Sequence, residues 1–281
     1  MALPGGQSLV LGDRTLVMGV INVTPDSFSD AGVHLEPEAA VEAGVRMVEE
    51  GADILDVGGE STRPGAEALD AAEERARVLP VIEALAARVP VPISVDTYKA
   101  AVADAALGAG AAIVNDVSGL RYDPSLGGVV ARRRGALGLM HTRGRSREMY
   151  AQASYHDVVG EVLDELRESV AFATGVGVAR EAIIVDPGLG FAKEPAHSYE
   201  ALARLHEFAG IGRPLLAGPS RKSFLSRAAG RTPPAARDWA TAAAVTAAVL
   251  SGAHIVRVHA VGPMVQAVRV ADEIRKYHRA D

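Results

Sequence analysis

Short apolar runs recur along the chain, and most of them end in a polar side chain. The first run, residues 18–21, ends at Asn22 and leads into a polar loop with a turn at Thr24-Pro25-Asp26. A continuous apolar run of this length is typical of a strand that is buried on both faces. The same pattern predicts further strands at 53–57, 91–96, 111–116, 136–140, 182–186, 214–217 and 254–259.

The segments between these runs are long enough for helices. Pro37 suits the first turn of a helix that runs to Gly51, and Asp70 with Glu73 has capping-box spacing before a helix that continues through Pro80. Further helices are predicted at 157–174, 236–251 and 263–278. Eight strands with room for a helix between successive strands are typical of one α/β fold, the (β/α)8 or TIM barrel.

We therefore predict a single barrel domain over residues 1–281, with a short N-terminal hairpin at 8–17, turning at Gly12-Asp13, that closes the barrel floor. An open doubly wound sheet is the alternative fold. That fold places a glycine fingerprint after its first strand, and Gly175-Val-Gly177 lacks the third glycine and ends a predicted helix. The barrel accounts for the strand count better.

Composition narrows the classes of protein. Of the 281 residues 48% are apolar but only 4% are aromatic, so Ala, Val, Leu and Ile must supply the packing. No apolar run reaches the roughly 18 residues of a membrane span, and we expect no membrane partner. Zero cysteines exclude disulfides and thiolate metal sites and fit a cytoplasmic protein. The net charge of −6 argues against nucleic acid as a partner.

The polar residues at the strand ends are the candidates for chemistry. In a barrel the carboxyl ends of all strands share one face, so these side chains converge. They are Asn22, Asp56, Asp96, Asn115, His141, Asp186, Lys222, Arg257 and His259. Taken singly, an Asp or Asn at a strand end often caps a turn. A buried amide without partners costs about 1–3 kcal/mol and an unpaired carboxylate costs more, so the convergence of these groups favours a binding site.

Two parts of this site differ in chemistry. The Asp and Asn side chains together with Lys222 suit a flat heterocycle that has several ring donors and acceptors. Asn22, Arg63, Arg257 and His259, near the hydroxyls of Ser61 and Thr62, suit a phosphate-type anion. Asn22 is also an oxygen ligand that could hold a Mg²⁺ ion on a diphosphate.

Seven motifs, in order along the chain, resemble those of the dihydropteroate synthase family, the sulfonamide target of folate biosynthesis. They are Asn22-Val-Thr-Pro-Asp-Ser-Phe-Ser-Asp30, Asp56-Val-Gly-Gly-Glu-Ser-Thr-Arg-Pro-Gly65, Ser94-Val-Asp-Thr97, Asn115-Asp-Val117, Asp186-Pro-Gly-Leu-Gly-Phe191, Ser220-Arg-Lys222 and Arg257-Val-His259. The family fold is the same barrel. The resemblance implies that 6-hydroxymethyl-7,8-dihydropterin diphosphate and p-aminobenzoate are condensed to 7,8-dihydropteroate and diphosphate.

The resemblance also implies a role for each site residue. The pterin would be bound by Asp96, Asn115, Met140, Asp186, Phe191, Lys222 and Arg257. The diphosphate would be bound by Asn22, Arg63, Arg257 and His259, with Mg²⁺ as cofactor held by Asn22. The p-aminobenzoate pocket would be formed by Thr24, Pro25, Phe28, Thr62, Arg63, Pro64, Lys222 and Ser223. Sulfonamide inhibitors are expected as further small-molecule partners. Asp96, Lys222 and Arg257 would carry catalysis, and a homodimer is expected.

Two positions depart from the family pattern. The family commonly has Asp after the strand 8 Arg-Val-His motif, where this chain has Ala260. After strand 5 the chain has Met140-His-Thr-Arg143 in place of a Met-His-Met stretch. Two other functions stay open. One is a paralogue that binds pterin without turnover. The other is a corrinoid-linked methyltransferase acting on methyltetrahydrofolate, which has no need of the anion-binding group or of Ser220-Arg-Lys222.

Overall fold

The computed structural model of the protein describes residues 1–23, 36–61, 65, 68–145 and 149–278. Within these ranges eight strands pair in parallel into one sheet. The strands are β1 Leu16–Asn22, β2 Ile54–Gly58, β3 Ile93–Asp96, β4 Ile113–Asp116, β5 Ala136–Met140, β6 Ile183–Asp186, β7 Leu216–Ala217 and β8 Ile255–Val258. Each lies within one or two residues of its predicted position, apart from β7, which is shorter.

The sheet closes into a barrel. Its strand order is β6-β5-β4-β3-β2-β1-β8-β7, so β6 and β7 are the two ends of the hydrogen-bonded series. A single parallel bridge, between Val185 and Leu215, joins these ends. The Val185 N–H donates to the carbonyl of Pro214 at 2.9 Å across this seam. The predicted (β/α)8 barrel is therefore confirmed.

Helices surround the strands. In the described residues they are α1 Glu36–Glu49, α2 Ala71–Arg88, α3 Ala100–Gly108, α4 Ser125–Arg133, α5 Val158–Gly175, α6 Pro195–Ala203, α7 Ser226–Ala229, α8 Asp238–Leu250 and α9 Val261–His278. The Asp70 carboxylate caps α2 by accepting from the N–H groups of Ala72 and Glu73, and Pro80 lies inside this helix, as the sequence predicts. Among the described helices none is long and apolar enough to cross a membrane.

Two apolar cores follow from the alternation of side chains along each strand. Residues such as Leu55, Val95, Val114 and Val256 face outward and pack against the helices. The alternate residues face the barrel interior and form a second core: Leu16, Met18, Ile54, Ile113, Ala136, Ile184, Leu216 and Ile255. The interior of the barrel is thus filled by side chains at its floor and middle.

The N-terminal hairpin forms at a different place from the prediction. Its turn is the 3-10 segment Pro4–Gly6, and Ala2 pairs with Ser8 in an antiparallel bridge. The predicted turn at Gly12-Asp13 was wrong, because Gly5 and Gly6 supply the positive φ angles, 69° and 79°, that a tight turn requires. The predicted role is retained, since Leu3 and Leu9 pack into the interior core.

Candidate active site

The interior-facing register continues from the apolar core into a polar layer. Ile54, Ile113, Ile184 and Ile255 belong to the interior core, and the residue two positions after each is Asp56, Asn115, Asp186 and Arg257, respectively. Because side chains two apart on a strand point the same way, these four polar groups face into the barrel mouth. The sequence pattern apolar-x-polar therefore places them by strand geometry alone.

Arg257 is the centre of this polar layer. Its Nε donates to Oδ2 of Asp56 at 2.6 Å, and its Nη2 donates to Oδ2 of Asp96 at 2.7 Å. The amide of Asn115 donates to the same Asp56 oxygen at 3.1 Å. One guanidinium thus holds carboxylates from two different strands, which a planar fork does better than an ammonium.

Two buried oxygens of this cluster have no hydrogen-bond partner within the described part of the chain. They are Oδ1 of Asp56 and Oδ1 of Asp96. Burial raises the pKa of Asp96 above its ordinary value, although Arg257 opposes that rise. Buried acceptors are normally satisfied, so unpartnered ones in a cavity mouth point to a ligand that brings N–H donors.

Asp186 and Lys222 are oppositely charged groups that interact electrostatically beside this cluster. Burial raises the pKa of Asp186, and the Lys222 ammonium is the main group that opposes the rise. Oδ1 of Asp186 accepts from the N–H of Gly188 at 2.7 Å, which orients the carboxylate. Burial lowers the pKa of Lys222 to about 7. Its Nζ donates to the carbonyl of Leu189 and lies 4.1 Å from the centroid of the Phe191 ring.

An apolar wall lies next to these polar groups. Met140 is buried and packs with Tyr98 and Val117, and Tyr122 and Phe191 join the same cluster. The rings of Tyr98 and Tyr122 meet edge to face with centroids 5.1 Å apart. Polar acceptors beside a flat apolar wall suit a planar heterocycle with N–H groups on its edge.

The candidate anion-binding residues occupy the neighbouring strand ends. His259 follows β8, and its Nδ1 lies 2.9 Å from the hydroxyl of Ser220. Asn22 ends β1, where it pairs with Gly58 of β2, and it is half-buried. Ser223 is exposed, with its hydroxyl 3.5 Å from that of Tyr150. These residues therefore lie at the same end of the barrel as Arg257.

Six of the predicted site residues lie outside the described residues. They are Thr24, Pro25, Phe28, Thr62, Arg63 and Pro64. All of them belong to the two segments predicted to form the second-substrate pocket and part of the anion site. Their predicted roles stay predictions.

A family model described as "Pterin binding enzyme" matches residues 18–259, which is most of the chain. The chain is 48% identical to dihydropteroate synthase from Mycobacterium leprae over 260 residues, covering 90% of this chain and 91% of that protein. The chain belongs to the dihydropteroate synthase family. As a member of this family it is a transferase of folate biosynthesis.

Solved structures of dihydropteroate synthases are similar over nearly the whole chain. The Xanthomonas albilineans enzyme in complex with 7,8-dihydropteroate superposes with a TM-score of 0.86 at 42% identity, covering 95% of each chain. The Yersinia pestis enzyme in a sulfonamide drug complex gives a TM-score of 0.91 at 38% identity, covering 98% of this chain and 99% of that one. The predicted family is confirmed.

Some residues of the site were not among the predicted binding residues. The sequence identifies Asp56 only as a strand end, yet it accepts from both Arg257 and Asn115. Its position two residues after Ile54 is the signal that identifies it. The Ser220 hydroxyl orients His259, and only its place in the Ser220-Arg-Lys222 motif points to it. Conversely, Arg221 of this motif turns away and forms a two-bond ion pair with Asp238.

Proposed function

We propose that the barrel mouth of this family member condenses 6-hydroxymethyl-7,8-dihydropterin diphosphate with p-aminobenzoate, with the site residues in the roles that follow. The observation that carries the proposal is the pair of unpartnered buried oxygens on Asp56 and Asp96 beside Asn115, Asp186 and an apolar wall. A turnover assay with both substrates tests it. No turnover but pterin binding would favour a paralogue without activity, and methyl transfer from methyltetrahydrofolate would favour the methyltransferase.

The pterin ring would lie against Met140 and Phe191. Asp96, Asn115 and Asp186 would bond to its polar edges, and Lys222 and Arg257 would complete the pocket. The match is chemical, because a pterin edge carries several N–H donors and the mouth offers buried acceptors. Lys222 would also form part of the p-aminobenzoate pocket. The other residues of this pocket would be Ser223, Thr24, Pro25, Phe28, Thr62, Arg63 and Pro64.

The diphosphate would be bound by Asn22, Arg63, Arg257 and His259. A Mg²⁺ ion fits the donor set here, because Mg²⁺ keeps most of its waters and needs few protein oxygens when it binds a diphosphate. Asn22 offers such an oxygen, and the described residues contain no cluster of three acidic or histidine side chains that would indicate a protein-enclosed site. When bound, Mg²⁺ would neutralise part of the diphosphate charge. The guanidinium of Arg257 would neutralise a further part of it.

The chemistry would begin with ionisation at the pterin methylene. The bond between the methylene carbon and the diphosphate oxygen breaks, and the electron pair leaves with the diphosphate. Asp96 would stabilise the resulting cation by accepting from the ring N–H that gains positive charge. The amine nitrogen of p-aminobenzoate then bonds to the methylene carbon and loses a proton. This route requires no covalent bond to the protein.

The proposal extends to the assembly and location of the enzyme. We expect one domain over the whole chain, a cytoplasmic location, in accord with the absence of cysteine, and a homodimer. Large apolar side chains on the adjacent helices α8 and α9 support a dimer. Trp239 is 89% exposed, and Val270 and Tyr277 are 61% and 78% exposed.

Replacing Ala260 with Asp should change turnover by less than about tenfold, or about 1.4 kcal/mol. Ala260 lies between β8 and α9, where its carbonyl accepts from the N–H of Met264 at 3.4 Å. Because Ser220 already orients His259, the missing Asp is not needed for that purpose. Steady-state turnover of both proteins checks this. Rescue of an inactive natural protein by Ala260→Asp would contradict it and favour the paralogue.

We expect p-aminobenzoate to bind weakly to the free protein and well after pterin and Mg²⁺-diphosphate, or the intact pterin diphosphate, have bound. The pterin residues lie on strand ends, whereas the second pocket depends on segments rich in Ser, Thr, Pro and Gly. Ordering such segments costs about 1–2 kcal/mol per residue, more than a small acid can offset. Arg63→Ala should weaken the second step more than pterin binding. Calorimetry measures both steps, and tight p-aminobenzoate binding to ligand-free protein would contradict the order.

A further inference from the structure

Lys193 is one of the most deeply buried side chains of the protein, although lysine is almost never fully buried without a partner. It is 1% exposed and lies at the end of the segment that follows β6. Its Nζ lies 2.8 Å from Nδ1 of His141 and 3.2 Å from the carbonyl oxygen of Phe191. Within the described chain no carboxylate forms an ion pair with it. The cationic form of Lys193 is therefore held by neutral acceptors.

Lys193, His141 and Glu165 form a chain of hydrogen bonds in which each donor can be assigned. An ammonium group only donates, so Nδ1 of His141 must accept from Lys193. The proton of the neutral imidazole is then on Nε2, which lies 3.1 Å from Oε2 of Glu165. Burial, together with Lys193, lowers the pKa of His141 to about 3, in agreement with this neutral tautomer. Arg143 and Arg121 hold Glu165 from its other sides.

The same segment forms the edge of the pterin pocket. Lys193 fixes the carbonyl of Phe191, and the Phe191 ring lies under Lys222. The segment packs tightly on the end of β5, since a Cβ on Gly188 would lie 2.0 Å from the carbonyl oxygen of His141. The Lys193 bond to Phe191 and the close packing at Gly188 therefore both hold the segment that carries the Phe191 wall.

Lys193 also acts on Asp186 through charge. The groups that interact with Lys193 are Asp186 on β6, Lys222 after β7, Glu165 on α5 and His141 and Arg143 after β5. Those that oppose protonation of Asp186 are Lys222, Lys193 and Arg257. Burial lowers the pKa of Lys193 to about 7, and Asp186 is the largest influence in the other direction. Below that pH Lys193 is charged and favours the ionised form of Asp186.

We propose that Lys193, oriented by His141 and Glu165, is a positioning residue for the pterin, which fixes the Phe191 wall and supplies a second positive charge to Asp186. It does not touch the pterin or the reacting atoms. The inference rests on the proposed pterin site. It explains why a lysine is buried against a histidine that is itself bonded to Glu165.

The test is the affinity for 6-hydroxymethylpterin, which lacks the diphosphate, measured by calorimetry at pH 6 and pH 8. Lys193→Met should weaken binding about tenfold at pH 6, because loss of the Lys193 charge raises the pKa of Asp186 and disfavours its ionised form. At pH 8 the loss should shrink to about threefold or less, because Lys193 is mostly neutral there in the natural protein. A purely structural role would give the same loss at both pH values, and this result would overturn the proposal.

Tyr155→Phe is the matched control. The Tyr155 hydroxyl donates to the carbonyl of Ala192 at 2.8 Å, so the variant loosens the same segment without removing a charge. Its loss of affinity should not depend on pH, and a dependence equal to that of Lys193→Met would overturn the charge assignment. If Lys193→Met does not fold, Lys193→Gln, which keeps a donor for Phe191, replaces it with the same expectation. Failure of the natural protein to bind the pterin would instead overturn the proposed function.

Discussion

Asp186→Ala should abolish measurable pterin binding while the barrel stays folded. The carboxylate is buried at the end of β6, and its bonds to pterin N–H groups would be charge-assisted, worth about 1.5–3 kcal/mol each. Losing two of them corresponds to about a hundredfold weaker binding or more. Calorimetry with the pterin diphosphate measures the affinity, and circular dichroism checks the fold.

Asp186→Asn is the control for this result. It keeps an oxygen for the N–H of Gly188, which accounts for the local turn, but it removes the charge that faces Lys222. Both variants should therefore lose binding, and only the alanine variant should loosen the turn after β6. Normal affinity in Asp186→Ala would mean that the pterin lies elsewhere in the mouth.

Arg257→Met should destabilise the protein by about 3–5 kcal/mol, because it leaves the buried carboxylates of Asp56 and Asp96 without their cation. Activity should fall with it, since Arg257 is also assigned to the diphosphate. Urea unfolding gives the stability change. Arg257→Lys keeps the charge but loses the two-armed contact, so its destabilisation should be smaller.

The pH dependence of this loss has a definite sign. Burial already raises the pKa of Asp96 above its value in the unfolded chain, and removing Arg257 raises it further. A carboxyl group whose pKa is raised in the folded state lowers the free energy of unfolding at pH values above that pKa. As the pH falls towards that pKa, the group becomes protonated in the folded protein and this destabilisation decreases. The destabilisation of Arg257→Met should therefore be smaller at pH 5 than at pH 7.5. An equal loss at both pH values would show that packing around Arg257 dominates.

Strand positions and strand-end chemistry could be predicted from the sequence because they depend on local alternation. An apolar residue followed two positions later by Asp, Asn or Arg defines both the interior face and the top of the barrel. The sequence identifies Asp96, Asn115, Asp186 and Arg257 as strand ends, and the structure brings them together. The last three also follow this pattern, whereas Ser94 stands two positions before Asp96. The motif-based family resemblance identified the same positions independently.

The burial of Lys193 and its contact with His141 depend on backbone conformations that could not be predicted from the sequence. Lys193 in Phe191-Ala192-Lys193 has no sequence feature that separates a buried lysine from an exposed one. What turns it inward is the backbone of Ala192, with φ at 47°, an unusual value for a residue other than glycine. The sequence identifies His141 only as a strand-end candidate without a role, and the structure pairs it with Lys193 and Glu165.

Binding of the pterin would affect the barrel structure at the seam between β6 and β7. Elsewhere neighbouring strands are joined by ladders of residue pairs, whereas β6 and β7 share the one bridge at Val185 and Leu215. Asp186 follows that bridge on one side, and the segment that carries Lys222 follows β7 on the other. A pterin bound to both residues would link β6 to β7, where few backbone hydrogen bonds join the strands. Binding would then stabilise the closed barrel, so that the rigidity of the protein would rise with pterin occupancy.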